Sequence, residues 1–543
     1  MHDVTNNALY SVNARRSTML GINLLAHAKR PQETRGDSPL LSPAAWPYVS
    51  QFILGPAFVE RLAGWQRITV AGQIKLTVHP DLACTQIADS ARELTLIGHI
   101  LDPLTPDATN ADILRALLRH FTSREALIAA TDGFGGRWLL IAVNSNESFL
   151  FHDALGLRQA FHTEPAAIGA LWVMSQPGLA SEVLSLTPDE QALDYMDTQT
   201  FRRASEYRFP ATASTFRGIK HLLPNHWLDL RTGRSHRYWP LAPLEILTPE
   251  VAIDRLGALM SGLIRAAATR FDLALSLTAG LDSRLVLAAA RGVADRLCIM
   301  TLRQGKMPDH HADIEIPARL LKRLGLPHDV VHATSTMTPE FSMHFKRNVY
   351  LAHDLYGHDA EAILKHYGRT KAALTGSAAE VGRCPFRAKL PHADHVRFTP
   401  ELLAWLEYSS THPFLVAHFR EWLTDAGQQN HVKLLDLFEW EQDYGNWLAM
   451  TLLEFDSAWR EIFTPYNCRQ VLTTLLGVAE QYRKAPDYLL FRRAIQKAWP
   501  ELLLEPINPH ATVGRLALRV SDMKAMVKYW QFRLTQRKLG KRR

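Results

Sequence analysis

About halfway along the chain, Thr278-Ala279-Gly280-Leu281-Asp282-Ser283 brings together residue types that handle phosphate. The residues before it, from Phe271 to Ser276, read as a short apolar strand. After Asp282, the recurrence of Leu285, Val286, Ala289 and Ala290 every three or four positions predicts a helix packed on a sheet. Small residues at a strand end let the backbone approach a ligand, and the first N–H groups of the next helix have no internal partner. That combination suits phosphate. Asp282 adds a carboxylate able to hold Mg²⁺ against phosphate oxygens, and Ser276, Thr278 and Ser283 add hydroxyls. Shape alone leaves a plain alternative open, in which Asp282 and Ser283 merely cap a helix at a tight turn.

The stretch resembles the pyrophosphate-binding loop of the asparagine synthetase and β-lactam synthetase superfamily, usually Ser-Gly-Gly-x-Asp-Ser. Thr278 takes the Ser place and Ala279 that of the first Gly. A second stretch, KAALTGSAAEVGRCP from Lys371 to Pro385, resembles the family's Leu-Ser-Gly-Glu-Gly-Ser-Asp-Glu segment. The resemblance puts Thr375 and Gly376 on the Ser-Gly that contacts ATP, and Glu380 on the Asp that gives the second magnesium contact. Read alone, Glu380 is a helix cap. Ser377 and Val381 stand where the family keeps Glu, which thins the acids around the acceptor site. The segment Thr464 to Asn508 resembles the family's closing part, whose lysine stabilises charge during attack on an acyl-adenylate. Aligning on Arg492-x-Ala494 puts Tyr488 in the lysine's place; Lys484, one turn earlier, is the candidate substitute, followed by Lys497. Arg284, beside the loop, is another possible cation.

The elements around these motifs alternate. A helical stripe from Val251 to Thr269 precedes the loop strand, and a second strand follows over Leu297 to Leu302. A helix from Ala312 stops at Gly325, and a third strand starts near His328. Such alternation predicts a doubly wound parallel sheet with ligands at the C-terminal strand edges. Asp313 and His328 occupy places that the family fills with an acid and a His. His310 and His311, with Asp309 and Asp313, read as a capped helix start rather than a metal site. The tryptophans between Glu401 and Glu461 read as core.

From Trp46 to Pro240 short apolar stretches between turns predict antiparallel sheets. Arg137 to Val143 and Ser148 to His152 flank Asn144-Ser145-Asn146 as a hairpin. With the turn at Asp153 to Arg158 and the Pro224-Asn225-His226 turn, this half resembles the sandwich-like glutaminase (Ntn-hydrolase-like) domain of asparagine synthetases. Those enzymes expose a Cys as the first residue of the mature chain, whereas this chain begins Met1-His2 and its earliest Cys is Cys84. A thiol nucleophile needs a thiolate with a base in reach. The expectation is a degenerate domain without glutamine hydrolysis. The partition is an irregular segment over 1–45, this domain over 46–240, an ATP-pyrophosphatase-like synthetase domain over 241–510 and a basic tail over 511–543.

The 543 residues are 47% hydrophobic and 21% charged, as in ordinary soluble proteins, and no run is long and apolar enough to span a bilayer. The first thirty residues lack a signal-peptide core, so the cytoplasm is the expected location. Cys84, Cys298, Cys384 and Cys468 lie far apart, as reduced thiols would. The last twenty residues carry eight cations and no acid; without those eight the net +7 becomes −1. The basicity is a property of the tail, read as a solvated helix, and gives no strong nucleic-acid signal. The family resemblance implies an enzyme that uses ATP and Mg²⁺ to activate a small-molecule or peptide carboxylate and form an amide, releasing AMP and pyrophosphate. The alternatives are a lasso-peptide-type macrolactam cyclase and a nucleotide-binding pseudoenzyme or assembly partner.

Overall fold

The computed structural model describes residues 48–427, 431–509 and 515–540. The 1–45 segment therefore lies outside the described residues. The rest is a mixed α/β structure with two antiparallel sheets and one parallel sheet. Its first antiparallel sheet runs Ile219–His221, Phe161–Thr163, Val173–Met174, Phe52–Gly55, Ile74–Val78, Gln66–Val70. The second runs Ser235–Arg237, His226–Asp229, Ser148–His152, Gly135–Asn144, Arg92–Leu101, Cys84–Ala88.

Strand alternation explains how these sheets stack. Along Gly135–Asn144, Leu139 and Ile141 point to one face, where they meet Phe52, Leu76 and Val78 of the first sheet. Trp138, Leu140 and Ala142 point to the other face, onto Ile113, Leu114 and Leu117 of the helix Asn110–His120. A strand covered on both faces is apolar throughout, which accounts for the run WLLIAV. The expected hairpin is present, with Val143 paired to Ser148 and Leu139 to His152. At the second turn Asn225 has φ 67°, the left-handed backbone that Asn tolerates best among residues with a side chain.

The parallel sheet has the order Asp329–His332, Cys298–Arg303, Leu273–Ser276, Ala372–Leu374, Ile462–Phe463. Chain order thus runs outward from Leu273–Ser276 in one direction for three strands and then restarts on its other side. The gap between Leu273–Ser276 and Ala372–Leu374 is therefore the topological switch point, where parallel sheets open a crevice at their C-terminal edges. The helix Pro249–Ala268 precedes it, and Ala312–Leu324 ends at Gly325 with φ 68°, a left-handed helix stop.

Buried charge joins the antiparallel layers to this sheet. The Arg137 guanidinium forks onto Asp456 at 2.6 and 3.0 Å and reaches Glu461 at 3.2 Å, while Arg158 meets Glu461 at 2.5 Å. All four side chains are buried. Burial pulls the Arg137 pKa down, but Asp456 and Glu461 outweigh it and hold the group firmly charged. Removing one member strands its partner's charge in low dielectric. Arg137→Met is expected to lower the unfolding free energy in urea titrations by about 3–5 kcal/mol, with Arg137→Met/Asp456→Leu recovering much of that loss.

Candidate functional site

The loop after Leu273–Ser276 folds on itself. Ser276 is half-buried at the strand end, and the Thr278 N–H donates to Ser283 Oγ at 3.2 Å. The Gly280 N–H donates to Thr278 Oγ1 at 3.1 Å, and the Ala279 N–H donates to Asp313 Oδ1 at 2.9 Å. Asp313, in the first turn of the helix Ala312–Leu324, therefore fixes the loop's second residue. Gly280 is the N-cap of the helix Leu281–Ala289, and no side chain caps it. The capping role considered for Asp282 and Ser283 is thus not what occupies them: Ser283 braces Thr278, and Asp282 faces the opposite loop.

That opposite loop follows Ala372–Leu374, where the Thr375 N–H donates to the Phe463 carbonyl at 2.9 Å. At Gly376 a Cβ atom would lie 2.8 Å from Ser283 N and 2.9 Å from the Asp282 carbonyl carbon. Only a residue without a side chain lets the two loops meet backbone to backbone. A 3₁₀ turn, Ala379–Arg383, follows, and in that geometry side chains three apart eclipse. Glu380 and Arg383 therefore share a side. Arg383 Nη1 pairs with Asp282 Oδ2, and Glu380 Oε2 accepts from the Tyr444 hydroxyl at 3.0 Å. The Arg383 guanidinium also lies 4.9 Å from the Tyr488 ring centroid, a cation–π distance.

Several buried oxygens here lack a partner: Asp282 Oδ1, Thr375 Oγ1 and the Tyr466 hydroxyl. Burial raises the Tyr466 pKa, and the charges of Asp282 and Glu380 push it further. Burial likewise raises the Asp282 pKa, to about 6; Arg383 opposes the rise and Glu380 adds to it. Two carboxylates that repel one another, beside unpartnered hydroxyls, fit a divalent ion that takes its remaining ligands from phosphate and water. Mg²⁺ is commonly held this way. Among the described residues no three His, Cys, Asp or Glu side chains form a cage of their own.

The structure brings the loop and helix start carrying Thr278, Gly280, Asp282 and Ser283 beside the loop and turn carrying Thr375, Gly376 and Glu380, at the C-terminal edges of two paired parallel strands, with Ser276 at the end of the first. Lys484 is exposed, and among the described residues no ion pair holds its ammonium. Lys497 is paired with Asp254. Arg284 is buried with its guanidinium on the carbonyls of Leu502 at 3.1 Å and Glu505 at 2.7 Å, so it anchors the loop helix to the chain's later segment.

Sequence reasoning missed Arg383, Tyr444 and Tyr466. The signal for Arg383 was its spacing of three from Glu380, legible only once that segment is known to be a 3₁₀ turn. Tyr444 comes from a π-helical stretch, Glu439–Leu448, which also buries Glu439 and leaves Asp443 half-buried. Burial raises the Glu439 pKa well above the carboxylate range, with Asp443, Glu407 and Glu380 adding to it.

No protein-family model matches the chain, and no curated protein matches it. Among solved structures it has a slight likeness to glutamine phosphoribosylpyrophosphate amidotransferase from B. subtilis complexed with ADP and GMP. The identity is 9% over 60% of this chain and 69% of that one, with a TM-score of 0.21. A structure described as the allosteric regulatory enzyme of purine biosynthesis is similar at 9% identity over 61% and 70%, with a TM-score of 0.23. Scores this low carry no argument about the site.

In the ligand-free protein the Asp282 carboxyl is expected to titrate near 6 by NMR. Loss of the opposing cation in Arg383→Met should move it higher, and loss of the repelling charge in Glu380→Gln should move it lower. A midpoint near the ordinary value of about 3.9 would contradict the geometry.

Proposed function

We propose that this chain is an asparagine-synthetase-like ligase whose N-terminal half is a glutaminase-like domain without the nucleophile, working in the cytoplasm. It activates a carboxylate with ATP and forms an amide. A carboxylate oxygen attacks the α-phosphorus, pyrophosphate leaves, and a nitrogen nucleophile then attacks the acyl carbon and releases AMP.

The observation that carries this reading is the pair of loops touching at Gly376 and Ser283 at the switch point of a parallel sheet, with Asp282 in the first turn of the helix after one loop and Glu380 in the 3₁₀ turn after the other. The uncapped start of the helix Leu281–Ala289 offers N–H groups to phosphate oxygens. Asp282 and Glu380 would hold Mg²⁺, which when bound neutralises phosphate charge. The Arg383 guanidinium is a fixed cation for charge developing on the phosphates. Tyr488, aligned with the family's lysine, carries no cation itself but stacks on one. The four cysteines are unpaired, and burial raises the pKa values of Cys84, Cys384 and Cys468 to about 11–12. Such thiols are poor nucleophiles, which supports an external amine over glutamine-derived ammonia. The second reading is a nucleotide-binding partner without turnover, and the exposure of Lys484 favours it.

Incubating the full chain with ATP, Mg²⁺ and pools of carboxylates and amines should release pyrophosphate and AMP in equal amounts. Arg383→Met is expected to cost about 10²–10³ in rate, whereas Lys484→Ala should stay near wild type. Asp282→Asn should abolish turnover. Full activity in Asp282→Asn would refute the site, and tight ATP binding with no pyrophosphate from any pool would favour the second reading.

A further inference from the structure

The C-terminal helix Arg515–Gly540 raises a question that the ligase reading leaves open. One of its faces is packed: Tyr529 and Phe532 lie against the core, and the Phe532 ring stacks on Trp405 at 5.1 Å. Its other face presents Met523, Val527, Trp530 and Leu534, which remain 58%, 56%, 55% and 54% exposed. At about 100° per residue these four fall within about 60° of one another. They form a narrow apolar stripe on the solvent side of a helix already docked by its opposite side. Lys524 and Lys528 run along one edge of the stripe and Arg533 along the other, with no acid from Met523 to Gln536.

Scattered exposed apolar residues need no explanation, but four in helical register on one face do. The charge pattern selects the occupant. An apolar stripe with Trp, edged by cations and free of acids, matches a helix lying in the interface of an anionic bilayer, its apolar side chains in the acyl boundary and its cations at the headgroups. No helix among the described residues is long and apolar enough to cross a membrane, so contact of this kind is peripheral. We propose that the face formed by Met523, Val527, Trp530 and Leu534 docks this protein onto anionic lipid surfaces.

The test is co-sedimentation of the full chain with vesicles of phosphatidylcholine alone and of phosphatidylcholine with about a quarter phosphatidylglycerol. The expected result is binding to the anionic vesicles, weakened by salt, and little to the neutral ones. Changing all four stripe residues to Gln should lower vesicle affinity about tenfold or more, with thermal stability and pyrophosphate release unchanged because these side chains face solvent. Trp530→Ser alone tests the same face if the fourfold variant folds poorly. Lys524→Gln and Lys528→Gln should each cost about fivefold. Three results would overturn the proposal: equal binding by the stripe variants, binding to neither vesicle, or a stripe that mediates self-association or heparin binding without binding vesicles.

Discussion

Four buried charges hold the layers of this molecule in register. Arg137 and Arg158, from the antiparallel half, meet Asp456 and Glu461, which lie at the entry to the last parallel strand. Glu461 uses its carboxylate on the arginines and its backbone carbonyl on the Ala373 N–H at 2.9 Å. The next step along the strand, Phe463, accepts from the Thr375 N–H. A charge cluster between layers thus sets the height of the strand that leads into Thr375 and Gly376. Because a buried pair penalises any shift that unpairs it, this contact specifies position as much as it stabilises.

That position matters because the candidate site depends on two backbones touching. Gly376 has no room for a methyl group against Ser283 and Asp282. Asp282 is consequently held where burial and Glu380 disfavour its charge and Arg383 favours it. A carboxylate under such opposing pressures is typical of sites that bind cations or move protons rather than of surface ion pairs. The unpartnered oxygens nearby point the same way, since native interiors seldom leave hydroxyls such as that of Tyr466 unmatched without a ligand or water to receive them.

Much of the sheet architecture was legible in the sequence. Gly325 marked its helix end, the Asn144-Ser145-Asn146 turn between two apolar runs marked the hairpin, and the alternation after Pro249 marked the parallel sheet. The loop residues were legible as well, because small residues between a strand and a helix form a local signal. What could not be read was anything assembled across distance. Tyr444 lies on a π-helical stretch whose extra residue per turn shifts the register that a 3.6-residue pattern assumes. Lys484 was chosen for its sequence position near the expected lysine, yet it lies in extended backbone just past the short helix Glu480–Arg483 and is exposed, and Arg383 arrives at Asp282 from a different segment. The basic tail was read as a solvated helix from its charge; the exposed stripe of Met523, Val527, Trp530 and Leu534 emerges only when the packed face is known.

The central claim is that a carboxylate attacks the α-phosphorus of ATP at the crevice between these loops. Oxygen-18 transfer addresses it directly. Carboxylates labelled with ¹⁸O are incubated with the full chain, ATP, Mg²⁺ and an amine pool, and the AMP is examined by mass spectrometry. The account predicts that one labelled oxygen moves from the carboxylate to the phosphoryl group of AMP. Formation of ADP, or of AMP without label, would contradict it.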